Sequence, residues 1–117
     1  MGWTVLIVDD HREFRASARG LLEADGFEVV GEVSAGADVV DAVARLRPGV
    51  VLLDIRLPDV DGFAVARSLA GLAAAPQVVL VSSRDAAVWG ERLWESPVLG
   101  FLAKADLSGA ALRRLLG

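Results

Sequence analysis

Five short runs built mainly of Val, Leu and Ile recur along the chain, and none alternates apolar with polar residues. They read Trp3–Val8, Phe27–Glu32, Gly49–Leu53, Gln77–Val81 and Val98–Leu102. A strand with one wet face must alternate, so uniformly apolar strands need cover on both faces. Between the runs the spacing turns helical: Phe14, Ala18, Leu21 and Leu22 share one face, and Ala66, Leu69, Ala70 and Ala73 share another. Strand and helix in strict alternation predict an α/β fold, a doubly wound five-stranded parallel sheet with helices on both faces. The punctuation agrees. Gly26 closes the first helix, Pro48-Gly49 the second, Pro76 and Pro97 precede strands, and a last helix is expected over Leu107–Leu116. No linker or repeat interrupts the pattern, so residues 1–117 read as one domain.

Composition removes several classes of function. Hydrophobic residues at 54% exclude a disordered chain, and no apolar run approaches the ~18 residues of a membrane span. Met1-Gly2-Trp3-Thr4 run directly into the first strand with no basic start; a signal peptide is therefore not expected, and the cytoplasm is the default. Without cysteine there is no disulfide or thiol chemistry. A net charge of −4 argues against non-specific nucleic-acid binding, which needs a basic footprint. Of the 12 basic residues only Lys104 is a lysine, and it follows a strand. A compact ammonium is wanted there.

The chemistry gathers at strand ends. Asp9-Asp10 follow the first run, Asp54 the third, Ser82 the fourth, and Lys104 stands just past the fifth. In a parallel sheet these ends lie along one edge, where open α/β sheets bind ligands. Two carboxylates ~4 Å apart repel by about 4 kcal/mol at an effective dielectric of 20, so the trio calls for a cation. Hard oxygen ligands with room for water suit Mg²⁺. Asp54 is then the candidate nucleophile toward a phosphoryl group, with Lys104 and Ser82 holding its oxygens.

These residues resemble the receiver domain of two-component response regulators over essentially the whole chain. The matching features are the acid pair Asp9-Asp10, then Asp54 followed by Leu57-Pro58 and Gly62, the hydroxyl of Ser82, and Phe101 three residues before Lys104. The resemblance implies a flavodoxin-like fold and Mg²⁺ held by Asp9, Asp54 and the Arg56 carbonyl, with Asp10 acting partly through water. It implies a phosphoryl group accepted on Asp54 from a histidine kinase or phosphotransfer protein, without enzymatic turnover. Ser82 would then be drawn to the phosphate and Phe101 would turn inward. The altered surface, facing an output partner, would be the fourth helix, fifth strand and last helix. Val29-Val30-Gly31-Glu32 and Lys104-Ala105-Asp106-Leu107 further resemble receivers of NarL-type transcription factors. The chain reads either as a stand-alone receiver or as the first domain of such a regulator.

Two positions depart from that pattern. Ala105 replaces a proline that is often cis; a non-proline cis bond costs ~2.5–4 kcal/mol, so trans is expected. Ser83 replaces Ala or Gly and is expected to narrow the approach to Asp54. His11 is expected near the surface in the first helical turn, since Mg²⁺ prefers oxygen. Trp89 and Trp94, five residues apart, would point ~140° from one another on a helix, leaving one for an exposed patch. A phosphohydrolase with an aspartyl nucleophile would need a second aspartate where Arg56 stands. An interaction module that never meets phosphate would show a broken constellation.

Overall fold

The computed structural model describes residues 3–117; the expectation that Met1 and Gly2 feed straight into a strand lies outside the described residues. The strands are β1 (Thr4–Val8), β2 (Glu28–Val33), β3 (Val50–Asp54), β4 (Gln77–Ser82) and β5 (Gly100–Ala103). The helices are α1 (Arg12–Ala24), α2 (Val39–Leu46), α3 (Gly62–Ala70), α4 (Ala86–Trp89), α5 (Glu91–Glu95) and α6 (Gly109–Leu116). All strands pair in parallel in the order β2-β1-β3-β4-β5.

Because each apolar strand has two faces, it feeds two cores. Val5, Ile7, Val50, Leu52, Val79 and Val81 pack on one side with Ala18 and Leu22 of α1 and Leu112 of α6. Leu6, Val8, Val51, Leu53, Val78 and Leu80 pack on the other with α2 and α3, where Trp89 and Leu93 also lean. Each fully buried aliphatic side chain contributes about 1.5–3 kcal/mol of transfer free energy. The sheet is fixed from both sides, and the strand termini are fixed with it.

Several boundaries move. Asp54 and Ser82 continue β3 and β4, opposite Val81 and Ala103, because ladder bonds depend on the backbone and not on side-chain polarity. Trp3, Phe27 and Gly49 fall outside their strands; Gly49 N–H donates to Thr4 Oγ1 at 2.8 Å. β5 begins at Gly100, two residues after Val98. Leu21 is 46% exposed, so the apolar face of α1 is Phe14, Ala18 and Leu22. α3 ends at Ala70 with that residue and Ala73 exposed; its buried face is Phe63, Val65, Ala66 and Leu69. The last helix starts at Gly109, capped by Ser108 Oγ accepting from Ala111 N–H at 3.0 Å, and Leu107 precedes it. Arg47 closes α2 in the left-handed region (φ 50°), with its N–H donating to Val43 O at 2.9 Å. The fourth helical segment is broken in two by Gly90, at φ 55°.

The loop after β3 folds back over its own strand. Gly62 N–H donates to Ile55 O at 2.8 Å, and a Cβ on Gly62 would lie 2.5 Å from Asp54 O and 2.7 Å from Ile55 Cα. Backbone atoms cannot step aside as a side chain does. We expect Gly62→Ala to lower the unfolding free energy by about 1–3 kcal/mol in urea titrations. Gly20→Ala is the control: nothing lies within 4 Å of the new methyl, and the change should stabilise α1 by about 0.5–1 kcal/mol.

Candidate functional site

The chain leaves β1 for β2 on one side and returns to lay β3 on the other, which opens a crevice between the ends of β1 and β3. Asp9 stands at the first end and Asp54 at the second, and both are buried, at 0% and 3% exposure. Lys104, in a 3-10 turn (Lys104–Asp106) directly after β5, reaches across to them. Its Nζ lies 2.6 Å from Asp9 Oδ2 and donates to Asp54 Oδ2 at 3.3 Å. Ser82 Oγ sits at the same edge and accepts from Arg84 N–H at 3.0 Å. A cleft of about 300 Å³ opens over these groups, lined by His11, Asp54, Arg56, Ser82, Ser83, Arg84 and Lys104. The gathering of Asp9, Asp54, Ser82 and Lys104 at one mouth agrees with the sequence expectation.

Local backbone donors settle the acids. Asp54 Oδ1 accepts from Arg56 N–H at 3.2 Å, and Asp9 Oδ1 accepts from His11 N–H at 2.7 Å. Asp10 lies at the surface, its Oδ1 3.3 Å from His11 Nδ1. His11 sits at the N-terminal cap of α1 with its ring largely exposed. Ser83 is exposed on the cleft wall, and no peptide bond among the described residues is cis, Ala105 included. Phe101 is half-buried against the core on the α2–α3 side.

The arrangement fits a hard cation on two grounds. Asp9, Asp10, His11 and Asp54 each offer a ligand atom, all within 4.8 Å of one another. Asp9 Oδ2 is also buried without a hydrogen-bond donor, since Lys104 approaches it outside hydrogen-bond geometry. A buried carboxylate oxygen left to charge attraction alone is a costly group that a divalent ion would satisfy.

Three features escaped the sequence reading. Phe14 of α1 lies under the ammonium, 4.6 Å from its ring centroid to Lys104 Nζ. Arg15 donates from Nη1 to the Asp9 carbonyl at 2.7 Å. Asp61 caps α3, accepting from Phe63 N–H at 2.8 Å, and also pairs with Arg92 of α5. Arg92 in turn stacks on Phe63, against which Trp89 packs edge-on at 5.9 Å. Only Phe14 left a trace in the sequence, as part of the α1 apolar face. Trp94 is 89% exposed while Trp89 is half-buried, so one tryptophan of the pair does face solvent.

Comparison with known proteins identifies the family. The sequence profile described as the response regulator receiver domain matches residues 5–113. The chain belongs to that family, the receiver domains of two-component systems. It is 35% identical over 102 residues to the virulence-factor transcription regulator BvgA of Bordetella pertussis, covering 87% of this chain and 49% of that one. It is 31% identical over 113 residues to the response regulator GacA of Pseudomonas aeruginosa, covering 96% and 51%. The chain thus spans about half the length of these relatives. The solved receiver domain of the response regulator NarL from Mycobacterium tuberculosis superposes with a TM-score of 0.83 at 31% identity, covering 99% of this chain and 98% of that one. The parallel five-stranded fold and the likeness to NarL-type receivers both stand.

Burial, and next the charge of Asp9, raises the Asp54 carboxyl above the ordinary carboxylate range, while Lys104 opposes the rise. A raised folded-state pKa means that this group's contribution is fully present below the unfolded value and is lost as pH climbs through the folded one. Ionised Asp54 therefore burdens the metal-free fold at neutral pH. Asp54→Asn should raise the melting temperature of the metal-free protein by about 3–6 °C at pH 7.5. The gain should shrink toward zero below about pH 4, where the native carboxyl is protonated as well. Scanning calorimetry across pH reads the trend directly.

Proposed function

We propose that residues 1–117 form a phosphoryl-accepting switch, with Asp54 as the acceptor. The observation that carries this reading is the buried Asp54 carboxylate in contact with Lys104 beside Asp9, under an open cleft. A buried acid whose one amine partner is shared with a second acid, and whose neighbour carries an oxygen without a donor, is poised to exchange partners when an anion arrives.

Asp9 and Asp54 side chains would hold Mg²⁺ together with the Arg56 carbonyl, and Asp10 would act partly through water. The bound ion would neutralise charge on the incoming phosphoryl oxygens. A carboxylate oxygen of Asp54 attacks phosphorus, the phosphorus–nitrogen bond of a phosphohistidine donor breaks, and the departing imidazole takes up a proton. Lys104 moves from bridging two carboxylates to pairing with a phosphoryl oxygen. Ser82 Oγ, now an acceptor from Arg84 N–H, turns its own proton to another oxygen and draws the β4–α4 loop with it. Phe101 fills the space vacated as that loop closes, which changes the surface formed by α4, β5 and α6. The partners are a histidine kinase or phosphotransfer protein upstream and an output partner at that surface. The domain does not itself bind nucleic acid, works in the cytoplasm, and performs no turnover beyond slow loss of its own phosphate. As part of a longer NarL-type regulator it would stand first, and it would act equally as a separate chain. Among the described residues no helix is long and apolar enough to cross a membrane.

Incubation with Mg²⁺ and acetyl phosphate should raise the intact mass by one phosphoryl group. Asp54→Asn, or chelation of the metal, should abolish the increase. An unchanged mass for the native chain under saturating donor rejects the acceptor role.

The phosphorylated form should be long-lived. Arg56 and Arg84 stand on the cleft wall two residues beyond Asp54 and Ser82, and guanidinium has no acceptor with which to activate water. After donor removal we expect the added mass to decay over many minutes; loss within seconds contradicts this.

A further inference from the structure

Asp9 has four polar atoms to satisfy, and three of them have defined partners. Its N–H donates to Val33 O at 3.0 Å, Oδ1 accepts from His11 N–H at 2.7 Å, and its carbonyl accepts from Arg15 Nη1 at 2.7 Å. Only Oδ2 is left facing Lys104 and the crevice. The direction of that oxygen is set by the other three contacts. Two of them come from adjacent backbone, while the third comes from a side chain one helical turn into α1.

Arg15 is itself held. Its Nε donates to Glu32 Oε1 at 3.1 Å, and Glu32 Oε2 accepts from Arg19 Nε at 2.7 Å. The Arg15 side chain is only 16% exposed, so its fork is not free to wander. Glu32 stands on the edge strand β2 and is kept ionised by its hydrogen bonds to Arg19 and Arg15, which hold its carboxyl below the ordinary range. The chain of contacts thus runs from β2 through the α1 guanidinium to Asp9, the residue that follows β1. Neither Arg15 nor Glu32 lines the cleft over Asp54.

We propose that Arg15 is a positioning residue for the metal site. Braced by Glu32, it grips the Asp9 carbonyl and so fixes the rotation of the peptide that presents Asp9 Oδ2 to a divalent cation. The inference rests on the preceding assignment of Asp9 and Asp54 as Mg²⁺ ligands. It also goes against simple charge. A guanidinium near a cation site repels the ion, so on electrostatics alone its removal should tighten binding. Loss of positioning should weaken it. The two effects have opposite signs.

Calorimetric titration of the full chain with Mg²⁺ tests this, with circular dichroism to confirm that each variant is folded. Arg15→Ala should weaken Mg²⁺ binding by about tenfold or more, the scale of outer partners that orient a ligand. Arg15→Lys keeps the charge but not the two-pronged reach, and should recover only part of the loss. In parallel, the Mg²⁺ dependence of phosphorylation by acetyl phosphate should shift to higher concentration in Arg15→Ala and recover with excess Mg²⁺. Binding by Arg15→Ala that is unchanged within twofold, or tighter, overturns the proposal, as does full recovery in Arg15→Lys. Should Arg15→Ala not fold, Glu32→Gln, which keeps Arg15 but loosens its brace, is read in the same way: weaker binding supports the clamp and unchanged binding overturns it. Failure of the native chain to bind Mg²⁺ overturns the metal assignment and the clamp together, whereas normal native binding with an indifferent variant removes the clamp alone.

Discussion

Two buried carboxylates face one ammonium at the end of the sheet, and the rest of the molecule is arranged around that imbalance. Asp9 and Asp54 lie at the termini of adjacent strands, so neither can retreat from the other without breaking the β1–β3 ladder. Lys104 compensates one charge while touching both acids. Burial and the residual repulsion raise the Asp54 carboxyl, and one Asp9 oxygen is left without a hydrogen bond. The fold thus stores an unfavourable electrostatic arrangement that a doubly charged cation or a rearranged lysine would relieve. A resting state left partly unsatisfied is what the proposed exchange of partners would draw on.

The surroundings make the arrangement persist. Purely apolar strands, sandwiched by α1 and α6 on one side and by α2 and α3 on the other, give the strand ends no latitude. The loop after Asp54 is pressed onto its own strand at Gly62, where there is no room for a side chain. Further out, the Asp59 carboxylate accepts from the N–H groups of Gly36 and Ala37 at 2.9 Å each, tying that loop to the entry of α2. These backbone hydrogen bonds hold the Asp59 carboxyl below its ordinary range. The loop after Asp54 is therefore anchored at both ends, whereas the β4–α4 side is held mainly by Asp61, Arg92, Phe63 and Trp89.

Much of this was legible in the chain itself. Uniform Val and Leu runs signal strands covered on both faces, and the polar residues that end them mark the functional edge, because a side chain there can neither pack nor leave the sheet. What escaped depends on how elements meet. Leu21 and Leu22 fit the same helical face on paper, yet the angle at which α1 lies on the sheet buries only Leu22. Arg15 and Glu32 are 17 residues apart and look like ordinary surface charges until α1 is docked against β2. Gly90 was hidden inside a stretch whose composition favours helix, and its positive φ shows only once the backbone is traced.

That break at Gly90 divides the passage from β4 to β5 into helices of four and five residues, neither contributing a fully buried side chain. Helices so short fall well below the length that sustains itself in water, since nucleation is never repaid by propagation. Their shape is borrowed from whatever they lean on. This passage is accordingly the cheapest cooperative unit to open, and amide protons there would exchange long before those of β1 or β3. In the proposed switch, the change of state would pass through the portion of the architecture that has the least of its own to defend.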